Sequence, residues 1–210
     1  KKKMKTINPF KNLQLLAILF SVITIIGCSN DDDVAPEEEN EVEVFTDVTL
    51  VFTNTADVND VVTASAQDPD GTGIQELQIL DAITLAADTE YTLTYEILNA
   101  LDPSDVENIG DEILEEDNEH QFFFSFTENV FANPTGNGNI DAAADPINYN
   151  DADENGNPVG LSSTWTTSST ASSGASFTVR LQHQPDVKTA TSGSNDGDTD
   201  FALTFALNIE

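Results

Sequence analysis

From Val44 onward the chain consists of short runs in which apolar and polar residues alternate, and this period of two restricts the fold more than any other feature. The runs are VFTDVTLVFTN, VVTASAQ, IQELQI, EYTLTYEIL, QFFFSFT, LSSTWTT, ASFTVRLQHQ and DFALTFALNI. They are rich in Val, Ile, Thr, Phe and Tyr, which suit a pleated, half-buried surface. Turn clusters such as DPDGTG, NPTGNGN and SGSNDGDTD separate several of them. In the last run Phe201, Leu203, Phe205, Leu207 and Ile209 share one face, because successive side chains of a strand point to opposite sides. Ala, Thr and Asn take the other. Eight such strands predict an all-β fold: an antiparallel β-sandwich, Ig-like or similar, forming a single domain over residues 43–210.

One segment breaks the alternation. PSDVENIGDEILEEDNEH offers Ser104 and Glu107 as a capping box, with Val106, Ile109 and Ile113 at helical spacing. It predicts a short crossover helix over 104–118, its acids on a solvated face.

The first 27 residues differ in kind. Lys1, Lys2, Lys3, Lys5 and Lys11 precede an almost wholly apolar run from Leu13 to Ile26. A basic stretch followed by an apolar run shorter than the ~18 residues that span a bilayer is the plan of a secretory signal. Ile25-Ile26-Gly27-Cys28, which holds the only cysteine, resembles the bacterial lipobox. The resemblance implies cleavage before Cys28, a diacylglycerol on its thiol and an acylated amino terminus, an effectively permanent anchor where a single chain would be marginal. The domain organisation expected is a signal peptide over 1–27, then lipidated Cys28 and an acidic disordered tether over 28–42, then the sandwich. SNDDDVAPEEENEV carries seven acids and a proline and offers little to a core. Its Ser29-Asn30-Asp31-Asp32-Asp33 is similar to the tag that sends Bacteroidota lipoproteins to the cell surface. Outer-membrane anchoring at the cell surface is the expectation, with the periplasmic face as the alternative.

Removal of residues 1–27 leaves Arg180 and Lys188 against 38 acids, a net charge of −36. Such a chain repels nucleic acid and nucleotides and attracts cations. With so few cations it has few salt bridges, and with one cysteine no internal disulfide. Burial, hydrogen bonds or bound counter-ions must stabilise it.

The most unusual stretch is the loop from Asn133 to Pro158. In NYNDADENGNPVG, Asp151, Asp153 and Asn155 alternate ahead of Gly156, matching the opening of a calcium loop in which alternating oxygens wrap a hard cation. Position twelve is Ser162 where an EF-hand has Glu, so any Ca2+ site would be looser, completed by Asp145, Asn148 or Asn150. A plain Asn/Asp/Gly turn fits the same residues without a metal. Asp68 and Asp70 before Gly71 pose the same choice, and a hairpin turn is favoured there. His120 and His183 can share a transition metal only if their strands are neighbours, and backbone-bonded imidazoles are the default. Of the aromatics, Trp165, Tyr91, Tyr95, Tyr149 and the phenylalanines at 122, 123, 124 and 126 are expected mostly in the core. In the FFF run one ring must find cover on the opposite face.

No nucleophile elbow, phosphate loop or dinucleotide fingerprint is present. The chain is therefore expected not to be an enzyme. A carboxylate-based glycoside hydrolase is the remaining catalytic option among 38 acids.

QDPDGTG at 67–73, EEDNEHQFFF at 115–124, DENGNPVGL at 153–161 and ASSGASFTVRLQHQPD at 171–186 look like a group of small uncharacterised lipoproteins of flavobacteria and relatives. Members are sometimes labelled type 1 periplasmic binding fold or GTP cyclohydrolase. Neither label suits this chain, which lacks alternating helices and strands and the cations a triphosphate needs. The resemblance implies a surface lipoprotein. Together with the residues it gives the expectation of a membrane-anchored binding or interaction module for a glycan or surface protein, with Ca2+ as its one candidate cofactor. A structural coat component assembling through sheet edges is the alternative.

Overall fold

Alternation is realised as two facing sheets. The computed structural model describes residues 43–71 and 76–210, so the expected signal peptide, Cys28 and the tether lie outside the described residues. In chain order the strands are β1 (Asp47–Asn54), β2 (Val61–Gln67), β3 (Gln78–Ile79), β4 (Ile83–Leu85), β5 (Glu90–Asn99) and β6 (Glu107–Asn108). Helix α1 (Ile109–Glu115) follows, then β7 (His120–Phe126), β8 (Phe131–Asn133), β9 (Ser163–Thr167), β10 (Ser172–His183) and β11 (Asp198–Ile209). The larger sheet has the order β3-β2-β1-β5-β9-β8, with β6 added to β5, and the smaller has the order β4-β11-β10-β7.

The fold is the all-β sandwich that the alternation predicts. Val48, Leu50, Phe52, Leu93 and Trp165 from one sheet are fully buried, as are Phe122, Phe124, Phe177, Val179 and Phe205 from the other. Rings meet across the gap: Trp165 lies 5.1 Å from Phe177 and from Phe124, and Phe52 lies 5.9 Å from Phe177. Each large side chain so buried contributes ~1.5–3 kcal/mol. The Trp165 indole N–H is satisfied within the core, donating to Ser163 Oγ at 2.8 Å.

Two details differ from the sequence expectation. The pair β4–β11 is parallel, whereas the other pairs are antiparallel. Three residues of β4 lie along the end of β11, and Ala87 N–H donating to Glu210 O extends the contact. The helix is also shorter than 104–118. Ser104 spends its hydroxyl and its N–H on the Asp102 carboxylate in a local turn, so no capping box forms. Glu107 and Asn108 pair with Asn99 and Leu98 of β5, leaving Ile109 and Ile113 as the buried helical pair and Val106 exposed. The segment does carry the chain from one sheet to the other.

The long loop closes the free side of β7, the edge strand of the smaller sheet. Phe122 N–H donates to Val159 O and Phe126 N–H to Asn137 O. Between them the buried Asn139 side chain accepts from Phe124 N–H at 2.9 Å and donates to Tyr149 Oη, which donates to Phe122 O. An open edge here would template pairing with another chain. Phe123, turned to the opposite face, is also fully buried; its cross-strand partner Arg180 donates to the carbonyl of Ser194.

Candidate functional site

His120 opens β7 and His183 closes β10, and antiparallel pairing sets them directly opposite. Both follow the inward parity of their strands, so the imidazoles stack at the sheet's end, 4.7 Å apart and 8° from parallel. The third member comes from an irregularity. Leu181 pairs with Phe201 but Gln182 pairs with Thr199, which leaves Asp200 as the extra residue of a bulge in β11. Bulges re-aim side chains, and this one brings Asp200 Oδ2 to 3.9 Å from His120 Nε2. Glu43 arrives from the segment ahead of β1, where Phe45 packs edge-on against Phe201 at 5.3 Å, and its Oε1 lies 3.4 Å from the same nitrogen. Gly197 makes the bulge's approach possible: at φ +77 it passes so close that a Cβ would stand 2.0 Å from the His183 carbonyl oxygen.

His120 is fully buried, and its Nδ1 lies 3.2 Å from the backbone carbonyl of Glu116. A carbonyl accepts only, so Nδ1 carries the proton and Nε2 presents its lone pair toward the two carboxyls. Burial pushes the Glu43 carboxyl up to about 8, with Asp200, Glu116 and Glu112 adding negative field. Burial likewise pushes Asp200 up to about 6, against the pull of His183. The same cause, followed by His183, takes His120 down to about 4, so the imidazole is neutral. Glu43 Oε2, His120 Nε2 and Asp200 Oδ2 are all buried without a hydrogen-bond partner. Glu43, His120 and Asp200 form one set whose ligand-type atoms lie within 4.8 Å of one another, and Glu116, His120 and His183 form a second. Glu43 and Asp200, with Asp68 and Glu76, line a surface cavity of about 260 Å³.

At the residues singled out as a calcium loop, both aspartates hold backbone N–H groups. Asp151 accepts the N–H groups of Gly160 and Ser162 at 2.8 and 3.0 Å. Asp153 accepts those of Asn155 and Asn157 at 2.9 and 2.8 Å, and its Oδ2 faces the Lys188 ammonium at 3.4 Å. Asn155 is exposed and takes part through its backbone N–H. Asp145 lies half-buried in a separate turn, where its N–H donates to Ala142 O. Among the described residues, no converging group of three His, Asp or Glu side chains includes Asp145, Asp151 or Asp153. Asp68 accepts the N–H of Asp70, as a turn requires.

The strand register thus joins the two histidines, as the neighbouring-strand condition demanded. Glu43 and Asp200 escaped sequence reading. Glu43 directly follows the acid-rich tether and reads as one more of its acids, and by alternation Asp200 belongs to the outer face of β11. Compared with known proteins, the chain matches no family model, no curated protein and no solved structure.

Proposed function

We propose that this chain is a lipid-anchored β-sandwich held at the outer membrane, displayed on the cell surface, and acting as a binding module for a glycan or a surface protein. The observation that carries the reading is the spacing between anchor and fold. Cys28 follows Ile25-Ile26-Gly27, and the fold is under way by Thr46 and β1, with SNDDDVAPEEENEV between. Fourteen residues can span at most ~50 Å. Their acids hold the domain off an anionic surface. Clefts on either side of the start of β1 supply concave surface. One is the acid-lined cavity beside Glu43, and the other, of about 390 Å³, is lined by Pro69, Pro103 and Val106 among others.

Labelled palmitate incorporated into the wild-type chain and lost in Cys28→Ala, with the variant released from membranes, is the expected result. Digestion of the domain by protease added to intact cells places it outside. Unlabelled protein that remains soluble would overturn the reading.

A hydrolase reading draws on Glu43 and Asp200, two acids with raised proton affinity in one cavity. Their oxygens converge on the His120 nitrogen within 4.8 Å, where a glycosidase holds its carboxyls ~5–9 Å apart across the bond to be cut. The binding module remains the better description.

A further inference from the structure

We infer that Glu43, His120 and Asp200 are the ligands of one divalent first-row transition ion, with Zn2+ the best fit, bound at the floor of the acid-lined cavity. The inference goes beyond the anchored-module reading and stands without it.

Its basis is an imbalance of acceptors. With Nδ1 committed to the Glu116 carbonyl, His120 has a bare lone pair on Nε2, and that side chain is 0% exposed. The atoms facing it are carboxyl oxygens, Glu43 Oε1 at 3.4 Å and Asp200 Oδ2 at 3.9 Å. Glu43 Oε2, His120 Nε2 and Asp200 Oδ2 all lack a donor, and a single shared proton can bridge only one pair among them. Among the described residues no Lys or Arg is placed to fill the position: Arg180 is bonded to Ser194 O and Lys188 is paired with Asp153. A metal ion supplies what all three acceptors need at once.

Geometry and chemistry narrow the ion. With bonds of ~2.0–2.1 Å, neighbouring ligand atoms of a tetrahedral zinc stand ~3.3 Å apart, so separations of 3.4 and 3.9 Å need only small adjustments to close. An imidazole in the set disfavours Ca2+ and Mg2+, which take oxygen. The Nδ1–H···O=C contact to Glu116 is the outer support that fixes a ligating histidine's tautomer and ring plane. Glu43 and Asp200 are among the residues lining the cavity, and their side chains, 13% and 14% exposed, are the ion's way in. The grouping of Glu116, His120 and His183 is the weaker candidate, because His120 Nε2 points to Glu43 and Asp200 and its Nδ1 is already bonded. Bound there, the ion would clip the segment ahead of β1 to β7 and β11 of the opposite sheet.

The test uses the full chain in detergent, stripped of metal. Zn2+ is titrated against a chromophoric chelator in excess Mg2+ and Ca2+, which saturate the acidic surface. One equivalent per chain is expected, retained in His183→Gln and weakened at least ~100-fold in Asp200→Asn, since even an outer-shell partner is worth ~10–100-fold. Asp200→Asn keeps the side chain's size, and the fluorescence of Trp165 reports whether it folds. In the wild type, Zn2+ should also shift the 15N resonance of His120 Nε2. An equivalent that survives Asp200→Asn, one lost in His183→Gln, or none at all overturns the assignment.

Discussion

Lys188 Nζ lies 3.4 Å from Asp153 Oδ2, and both side chains are 1% exposed. The ammonium also donates to the carbonyls of Asp117 and His120, so one side chain joins the calcium-like loop, the turn after α1 and the start of β7. Removing one partner of a buried pair leaves the other charge uncompensated. Lys188→Met is therefore expected to lower the unfolding free energy by about 3 kcal/mol in urea titrations followed by Trp165 fluorescence. Asp153→Asn added to it should recover part of the loss. Additive losses would show that the two charges do not act as a pair.

Acid should loosen the same junction. Burial alone would raise the Asp153 carboxyl, but the Asn157 N–H groups, Lys188 and the Asn155 N–H together hold it below its ordinary value. A carboxyl depressed by folding contributes stability above its unfolded value of ~3.9 and loses it as pH falls through the lower folded value. In unfolding free energies measured from pH 6 to 2.5, the gap between wild type and Asp153→Asn should be widest at pH 6 and shrink below about pH 4. A gap independent of pH would show that the charge on Asp153 is not what matters.

How much was legible follows from which forces are local. Long strands such as β11 announced themselves because a two-residue period persists from Phe201 to Ile209. Strands β4, β6 and β8, at two or three residues, are too short to carry a period and exist through their partners' register. Ile109 and Ile113 were readable as a helical pair, but Asp102 competing for Ser104 was not, since both arrangements are chemically satisfactory in isolation. The histidines were readable as a conditional pair. Glu43 and Asp200 depended on a bulge and on packing between sheets, which residue types do not encode. Asp153, readable as a candidate cation ligand, faces the Lys188 ammonium, a partner 35 positions away that no local spacing indicates.

That pairing carries a prediction about calcium. A ligand at 100 times its dissociation constant adds ~2.7 kcal/mol to a folded state. Because N–H groups and Lys188 already occupy the oxygens of Asp151 and Asp153, millimolar Ca2+ should raise the unfolding midpoint no more than Mg2+ at matched ionic strength. A Ca2+-specific rise abolished in Asp145→Asn would restore the loop as a metal site.

The cover over β7 can be tested by two glycines that differ in one respect. Gly136 and Gly138 both have left-handed backbone, φ +98 and +95, so alanine is strained at either by ~1–2 kcal/mol. At Gly136 an added Cβ meets nothing within 4 Å. At Gly138 it would stand 2.1 Å from the Phe124 carbonyl oxygen and 2.7 Å from Ser125 Cα, where the loop bridges to β7. Making room there means lifting Asn139, whose side chain and backbone bond to both polar groups of Phe124. Gly138→Ala should thus cost several kcal/mol and Gly136→Ala only its backbone strain. With the loop lifted, the β7 edge is unpaired, and Gly138→Ala should also self-associate at concentrations where Gly136→Ala stays monomeric. Equal losses in urea titration, without self-association of either variant, would mean that β7 does not depend on this close approach for its cover.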